Sequence, residues 1–338
     1  MAEQIEITPD EAEIRLDRWF KRHYPHATHG QVEKLLRTGQ VRVDGKRAKA
    51  NARLAPGQKI RVPPMLAGGE DKAASAARTD ASTLKQLKQW VLFEDADVLI
   101  LNKPPGLAVQ GGTGQKRHLD AMLDAWRDKD GNRPKLVHRL DRDTSGILVL
   151  GKTAFAAAKL AASFRARDTR KIYWAVTIGT PRPIKGRIDL ALKKQGEKMI
   201  SAEDGDAEAK DAATLYAIID HAGKQAALVA LWPLTGRTHQ LRVHMQAIGT
   251  PILGDPVYLP AERTDGSAAM NLPEGELYDG LHLHARRLMM PHPRGGMIDA
   301  IAPVPPVMKK SFRWFNFTGD YPDPFDGDDH GPPKRKEK

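Results

Sequence analysis

Apolar residues in the first sixty positions recur at helical spacing and then change to an alternating pattern. Two stretches, EAEIRLDRWFKRHY and GQVEKLLRTG, each place apolar side chains on one face of a predicted helix. Val41 and Val43 then alternate with charged residues, and Asp44-Gly45 is typical of a tight hairpin turn. With the strand-like end of RLAPGQKIRVP, the pattern predicts a small domain over residues 11–63, in the order helix, helix, strand, turn, strand. The apolar positions that define the two helical faces are Ile14, Leu16, Trp19, Phe20, Val32, Leu35 and Leu36.

The remaining chain reads as a linker, a larger domain and a tail. PMLAGGEDKAASAARTDAST contains almost no large apolar residue and cannot bury surface, so residues 64–83 are predicted to be a flexible linker. Strand-like runs such as VLILNK, IYWAVTIG and AALVALWP are mixed with helical runs such as AFAAAKLAASFRAR. This mixture predicts an α+β domain with a mainly antiparallel sheet over residues 84–318. The Pro/Gly-rich end, YPDPFDGDDHGPPKRKEK, predicts a disordered tail over residues 319–338.

The charge of the chain is concentrated near one end. The 338 residues contain 53 Lys and Arg against 42 Asp and Glu, and residues 14–63 alone hold thirteen basic and three acidic side chains. Such a local excess favours a nucleic-acid partner over a merely solvated face. The absence of cysteine excludes disulfides, thiolate metal sites and a cysteine nucleophile. Apolar runs too short for a bilayer and an N-terminus without a secretory pattern predict a cytoplasmic protein that makes no membrane contact.

One stretch imitates a nucleotide-binding motif. The run GILVLGKT, from Gly146 to Thr153, formally satisfies the phosphate-binding pattern GxxxxGK[ST]. A phosphate cradle requires the four intervening residues to form a loop of exposed backbone N–H groups after a buried strand. Here those four residues are Ile-Leu-Val-Leu, which themselves read as the strand. We therefore reject nucleotide hydrolysis.

The segment LVHRLDRDTSG, from Leu136 to Gly146, is the most specific in the chain. Its charged residues run directly into a buried strand, which predicts a rigidly supported loop whose charges line a cleft. Arginines beside Asp141 favour the ionised form of its carboxylate. From the residues alone, this is either a catalytic loop or a structural loop held by ion pairs.

The same segment carries a family resemblance. HRLDRDTSGILVLGKT resembles the signature of the RluA/RluC family of pseudouridine synthases. Four further stretches resemble the other motifs of that family in the same order: VLFEDADVLILNKPPGLAVQGG, KIYWAVTIG, LTGRTHQLRVHMQAIGTPILGDPVY and LHLHARRLMMPHP. The N-terminal domain resembles the RNA-binding domain named after ribosomal protein S4, through RLDRWF, QVEKLLRTGQVRVDG and PGQKI. The likeness covers most of the chain.

The resemblance implies an enzyme that isomerises uridine to pseudouridine in RNA without cofactor or metal. Asp141 matches the essential aspartate, whose role stays open between attack on the sugar, addition to the base and abstraction of a sugar proton. Tyr173 matches the tyrosine that stacks on the uracil and takes part in removing the C5 proton. Arg242 matches the basic residue that pairs with the aspartate, and Leu283 is expected to form an apolar wall. Arg139 matches the arginine that enters the helix when the uridine is flipped out, which offsets part of the cost of extrusion.

The resemblance also bears on the substrate and on competing functions. An appended RNA-binding domain resembles synthases that act on large-subunit (23S) ribosomal RNA, with a tRNA uridine as the alternative. A non-catalytic RNA-binding or ribosome-assembly protein and a glycoside or nucleoside hydrolase using Asp141 and Asp143 are the other classes considered. His239 and His244 lack the spacing of a helical zinc pair, so no metal is expected. We expect a monomer. The cations expected to face RNA in the N-terminal domain are Arg15, Arg18, Lys34 and Arg37.

Overall fold

The protein is described by a computed structural model that divides into two compact units, residues 1–82 and residues 83–338. The predicted linker lies largely outside the described residues, and so does the predicted tail beyond residue 327. The described residues are 3–24, 27, 29–63, 66, 81–111, 117–128, 131–166, 168–196, 198–203, 205–259 and 275–327.

The N-terminal unit combines two helices with a three-stranded antiparallel sheet in the order β1-β3-β2. The helices and the strands that follow them have the order predicted from the sequence. An additional strand, β1, lies ahead of residue 11 and pairs with β3, so the folded unit begins earlier than predicted. The elements are β1 (Glu3–Glu6), α1 (Leu16–His23), α2 (His29–Arg37), β2 (Arg42–Val43) and β3 (Lys59–Val62).

The core of this unit comes from the periodic apolar positions. Six of the seven residues that define the predicted helical faces are buried, and Ile14 is half-buried at the edge of the same cluster. Asp44 and Gly45 both adopt positive φ angles, 48° and 75°, as the tight turn requires. The amide groups of Val43 and Lys46 bond across this turn to each other's carbonyl oxygens.

The C-terminal unit is built on a ten-stranded sheet with the main order β4-β5-β7-β14-β8-β13-β12-β9. β15 pairs with β14 and β6 with β7, and a separate hairpin is formed by β10 and β11. Of the pairs in the described sheet, only β7 with β14 is parallel, which confirms the predicted α+β class with a mainly antiparallel sheet. The strands are β4 (Val91–Glu94), β5 (Val98–Lys103), β6 (Lys135–Leu136), β7 (Ser145–Gly151), β8 (Arg170–Ile178), β9 (Lys185–Asp189), β10 (Leu192–Gln195), β11 (Lys198–Ser201), β12 (Ala213–Ala222), β13 (Ala226–Pro233), β14 (Leu283–Pro291) and β15 (Met297–Ile301).

The helices of this unit cover the two faces of the sheet. Alternation along β8 places Trp174 on one face, where it packs with Phe312, and Tyr173 on the other, in the cluster that contains Leu241. Over the described ranges, no helix combines the length and apolar character needed to cross a bilayer. Residues 81–89 are helical, and the other helices are α3 (Leu119–Met122), α4 (Ala154–Ala166), α5 (Gln240–Ala247) and α6 (Pro306–Trp314).

Residues 319–327, predicted as the start of a disordered tail, pack against the sheet. Phe325 is fully buried and meets the ring of Trp232 edge-on at 5.7 Å. Asp323 forms an ion pair with Arg170 at 3.0 Å. The ordered chain therefore continues to at least residue 327, because partners distant in sequence hold a segment whose composition alone suggests disorder.

The false phosphate-binding motif is a buried strand, as its four apolar residues predicted. Every residue of β7 is buried. A Cβ on Gly146, whose φ is 106°, would lie 2.3 Å from the carbonyl oxygen of Ala285. Gly146 is thus required by the close approach of β14 and not by a phosphate group.

Candidate active site

The loop between β6 and β7 carries Asp141 and is held by a buried amine. Lys103, at the end of β5, is fully buried, and its Nζ donates to three carbonyl oxygens at 2.8–2.9 Å, including that of Arg142. Burial lowers the pKa of Lys103 to about 7, and the negative charges of Asp143 and Asp141 oppose the shift. The amine thereby fixes the backbone one residue beyond Asp141.

The two carboxylates of the loop have different surroundings. Arg142 donates to Asp143 through Nε and Nη2 at 2.9 and 3.0 Å, so Asp143 is tied into the loop. In the part of the chain that the structure describes, the Asp141 carboxylate accepts no side-chain hydrogen bond, and its side chain is 31% exposed. Asp141 is therefore the carboxylate that is open to a bound substrate.

Arg242, on α5, approaches Asp141 but is clamped by another carboxylate. Its Nε and Nη2 donate to the buried Asp255 at 2.7 and 2.6 Å, whereas its Nη1 lies 3.7 Å from Asp141 Oδ2. Burial opposes ionisation of Asp255, but Arg242 and the amide groups of Val257 and Tyr258 outweigh it and lower the pKa of Asp255. The bidentate pair holds the guanidinium rigidly and leaves one nitrogen directed at Asp141.

Tyr173 and Leu283 come from adjacent strands, β8 and β14. Tyr173 is paired with Ala285, two residues after Leu283, so both side chains project from the same face of the sheet. Burial and the negative charge of Asp141 raise the pKa of Tyr173, and its phenol is therefore neutral at physiological pH. The ring offers a flat face and Leu283 an apolar wall beside the carboxylate.

Arg139 lies two residues before Asp141 on the same loop and is exposed. Its guanidinium has no hydrogen-bond or ion-pair partner within the described ranges. Arg139 lines the same cavity as Asp141, Tyr173, Arg242 and Leu283, so the fold brings all five predicted residues together. The cavity measures about 570 Å³, within the range of small-ligand sites.

Three residues of the site were not assigned a role from the sequence. His239, which precedes α5 in a left-handed conformation (φ 52°), lies 3.8 Å through Nε2 from Asp141 Oδ2. Its Nδ1 is 2.8 Å from the hydroxyl of Tyr258. Burial lowers the pKa of His239, with Asp141 opposing and Arg242 adding to the shift. Asp255 and Tyr258 lie more than ten residues beyond α5's first turn, and no sequence periodicity links them to it.

The other histidines of the motifs are held in the structure around the site. His138 accepts a hydrogen bond from the amide of Val149 at 2.9 Å, and burial lowers its pKa to about 3. His284 is buried 2.9 Å from Ser145 Oγ, and burial lowers its pKa to about 4. His244 Nε2 lies 3.1 Å from the carbonyl of Leu190, away from the partners of His239.

The arrangement places an accessible carboxylate beside an aromatic ring. The carboxylate can act as nucleophile or base, and the neighbouring phenol can stack on a planar group. Lys171 and Arg237 also line the cavity, which adds positive charge around it. Hydrolysis by a carboxylate pair has less support, because Asp143 is occupied by Arg142.

The predicted RNA-facing cations of the N-terminal unit lie on and beside its two helices. Arg18, Lys34 and Arg37 are exposed. Arg15 is also exposed but donates to Asp17 at 3.2 and 2.7 Å, which partly neutralises it. These four assignments stay predictions.

Comparison with known protein families matches each unit separately. The model described as RNA pseudouridylate synthase matches residues 97–247, and the model described as S4 domain matches residues 14–60. The first range contains Asp141, Tyr173 and Arg242.

Individual relatives extend the likeness over most of the chain. The chain is 33% identical over 290 residues to the ribosomal large subunit pseudouridine synthase C of Vibrio parahaemolyticus, which covers 86% of this chain and 88% of that protein. The protein of the same name from Rickettsia typhi is 34% identical over 269 residues, or 78% of this chain and 88% of its own length. The structure titled human RNA pseudouridylate synthase domain containing 4 is similar at 28% identity and a TM-score of 0.59, covering 71% of this chain and 97% of that one.

Proposed function

The chain belongs to the RNA pseudouridylate synthase family and is an RNA pseudouridine synthase, an isomerase. From this premise we propose that it converts specific uridines of large-subunit ribosomal RNA to pseudouridine. The family membership confirms the resemblance found in the sequence. The choice of ribosomal RNA is supported by the names of the bacterial relatives and by the S4 domain.

The observation that carries the catalytic part of the proposal is the cavity around Asp141. The reaction breaks the N1–C1′ bond of uridine, turns the uracil and forms a C5–C1′ bond, while C5 loses a proton and N1 gains one. Asp141 would supply the essential carboxylate to the ribose or the base, with Arg242 as its charged neighbour at 3.7 Å. Tyr173 would stack on the uracil and take part in removing the C5 proton, against the apolar wall of Leu283. Arg139 would occupy the space left by the flipped nucleotide.

The Asp141→Asn variant tests this assignment. It removes the ionised carboxylate but little surface, so we expect the single-turnover rate to fall by about 10²–10⁴-fold or more, with RNA affinity within a few-fold of wild type. Pseudouridine is read as a stop of reverse transcription after carbodiimide treatment of a large-subunit ribosomal RNA transcript, with a tRNA pool assayed in parallel.

The matched control is Asp143→Asn, which alters the loop's other carboxylate and should lower the rate far less. Comparable losses in the two variants would contradict the distinct role of Asp141. Reverse-transcription stops confined to the tRNA pool would show that tRNA is the substrate instead of ribosomal RNA, and the isomerase assignment would stand.

The Tyr173→Phe variant separates stacking from proton transfer. The ring is kept, so RNA affinity should stay within about threefold, whereas release of tritium from [5-³H]uridine should fall by about 10²-fold. Because the pKa of Tyr173 is raised, a proton-abstraction role also predicts a wild-type rate that increases with pH through the alkaline range. Full activity of the phenylalanine variant would limit this residue to stacking.

A further inference from the structure

Two groups approach the same oxygen of Asp141. Arg242 Nη1 lies 3.7 Å and His239 Nε2 3.8 Å from Oδ2. Both distances exceed a normal hydrogen bond, but a small rotation of the Asp141 side chain would close either one. The Asp141 carboxylate therefore has two potential donors beside one of its oxygens.

The opposite side of the His239 ring is fixed by Tyr258. The Tyr258 hydroxyl is 2.8 Å from His239 Nδ1 and accepts a hydrogen bond from the amide of Met199 at 3.0 Å. Since its oxygen is already an acceptor for Met199, its own proton is available to Nδ1. A proton on Nε2 also faces the negative charge of Asp141, whereas a lone pair there would be repelled. Both contacts favour the neutral tautomer with its proton on Nε2.

A single turn, residues 255–258, supports both neighbours of Asp141. Asp255 accepts the two hydrogen bonds from Arg242 and also one from the amide of Tyr258 at 3.0 Å. The Tyr258 ring lies 4.9 Å from the Arg242 guanidinium carbon. Arg242 and His239 are therefore oriented by one structural unit, each through its own contact.

The backbone of His239 adopts a left-handed conformation directly before α5. A φ of 52° is uncommon for a residue other than glycine. Strain of this kind persists where the surrounding structure fixes it, and it concentrates at functional sites. Here the strained residue is half-buried in the cavity and next to its carboxylate.

We propose that His239 is a positioning residue of the isomerase, and that its Nε2–H holds the Asp141 carboxylate in the orientation in which it meets the substrate nucleotide. Tyr258 selects the tautomer, and Asp255 holds Arg242 as the second contact. This inference rests on the proposed function, because it assigns a role within the same reaction. The ionisable groups around Asp141 and His239 are Arg242, Asp255, Tyr258, Tyr173, Lys103 and Asp143.

Two substitutions of His239 distinguish positioning from a structural role, because the two roles rank them in opposite orders. The amide nitrogen of His239→Gln can occupy the place of Nε2, whereas that of His239→Asn reaches only as far as Nδ1. Asparagine tolerates a left-handed backbone far better than glutamine does. A structural role therefore makes Asn the better replacement, and a positioning role makes Gln the better one.

We expect His239→Gln to keep a single-turnover rate within about fivefold of wild type, and His239→Asn to lose 10- to 100-fold, with RNA affinity unchanged in both. The melting temperature of His239→Asn should equal or exceed that of His239→Gln. The acid limb of the pH–rate profile should move to higher pH in His239→Asn only, because that variant has no N–H group at the position of Nε2 to favour the charged carboxylate.

Tyr258→Phe tests the second contact. In the wild-type enzyme, this substitution should lower the single-turnover rate several-fold. In the His239→Asn variant it should lower the rate no further, since the hydroxyl acts through His239. Tyr216→Phe is the matched control, because Tyr216 is also buried and donates its hydroxyl proton to the carbonyl of Pro183, outside the residues that line the cavity.

Equal rates for the Gln and Asn variants, or a rate order that follows their melting temperatures, would overturn the inference. So would an unmoved acid limb in His239→Asn. These outcomes require an active wild-type enzyme, so they are distinct from a wild type that produces no pseudouridine, which would overturn the proposed function itself.

Discussion

Arg139 is an exposed cation without a partner in the described ranges, two residues from Asp141. Two roles are compatible with this position: neutralising the loop carboxylates, or filling the space left by the extruded uridine. Extrusion costs a few kcal/mol when the target base is stacked, and much less in an unstacked strand. Arg139→Ala should therefore lose up to about 10²-fold more single-turnover rate on a folded ribosomal RNA fragment than on the same target in an unstructured oligonucleotide.

The control for this prediction is Arg142→Ala on the same loop. Arg142 is also exposed, but it donates to Asp143 at 2.9 and 3.0 Å, so its loss should affect both substrates to the same degree. For Arg142→Ala we expect equal fractional losses of rate on the two RNAs. Equal losses for Arg139→Ala would rule out that Arg139 fills the space left by the extruded uridine.

The site residues that lie in a motif could be proposed from the sequence, but their structural partners could not. Asp141, Tyr173 and Arg242 were recognised by resemblance, and they line one cavity. The principal partner of Arg242 is Asp255, which the loop after α5 brings back. Such pairs depend on tertiary packing, and neither charge spacing nor periodicity reports them. The same reason explains why the sequence did not single out Lys103, a buried lysine whose amine donates to three carbonyl oxygens.

Strands and helices with long apolar runs were predicted well, because burial determines their composition. The run AALVALWP is the fully buried β13, and AFAAAKLAASFRAR contains α4. The segment of the rejected phosphate-binding motif was predicted well for the same reason, since its four apolar residues lie in β7, which is buried along its whole length.

Short or polar segments were predicted poorly. β1 has only four residues, and it is held in place by pairing with β3, which the local sequence pattern does not indicate. Residues 319–327 read as a tail, yet the side chains of Asp323 and Phe325 are buried against partners about 90–150 positions earlier. In both cases the stabilising contacts are long-range, so a local reading of propensity and composition cannot detect them.

A strongly basic stretch of the chain and the residues assigned to catalysis lie in different units. Residues 14–63 of the N-terminal unit hold thirteen basic and three acidic side chains, whereas every residue assigned to catalysis lies in the C-terminal unit. A sequence-independent electrostatic contact in one unit can thus raise the local concentration of RNA for a site in the other. The division implies that affinity and chemistry can be changed independently.

The salt dependence of RNA binding tests this division. Replacing Arg18, Lys34 and Arg37 together by glutamine removes three exposed charges, and each lost phosphate contact lowers the log–log slope of affinity against salt by about 0.7–0.9. We therefore expect the slope for a long structured ribosomal RNA to fall by about 2, with weaker binding and an unchanged single-turnover rate at saturating enzyme.

The matched control replaces three exposed cations of α6, Lys309, Lys310 and Arg313, and changes the net charge equally. If the cations of the N-terminal unit contact phosphates, the log–log slope of affinity against salt should fall only in the first triple variant. An effect of net charge alone would lower the slope in both triple variants. Equal slopes in the two variants and in wild type would mean that the basic surface of this unit is only solvated. A reduced rate at saturation in the first variant would instead place these cations in the alignment of the target uridine with Asp141.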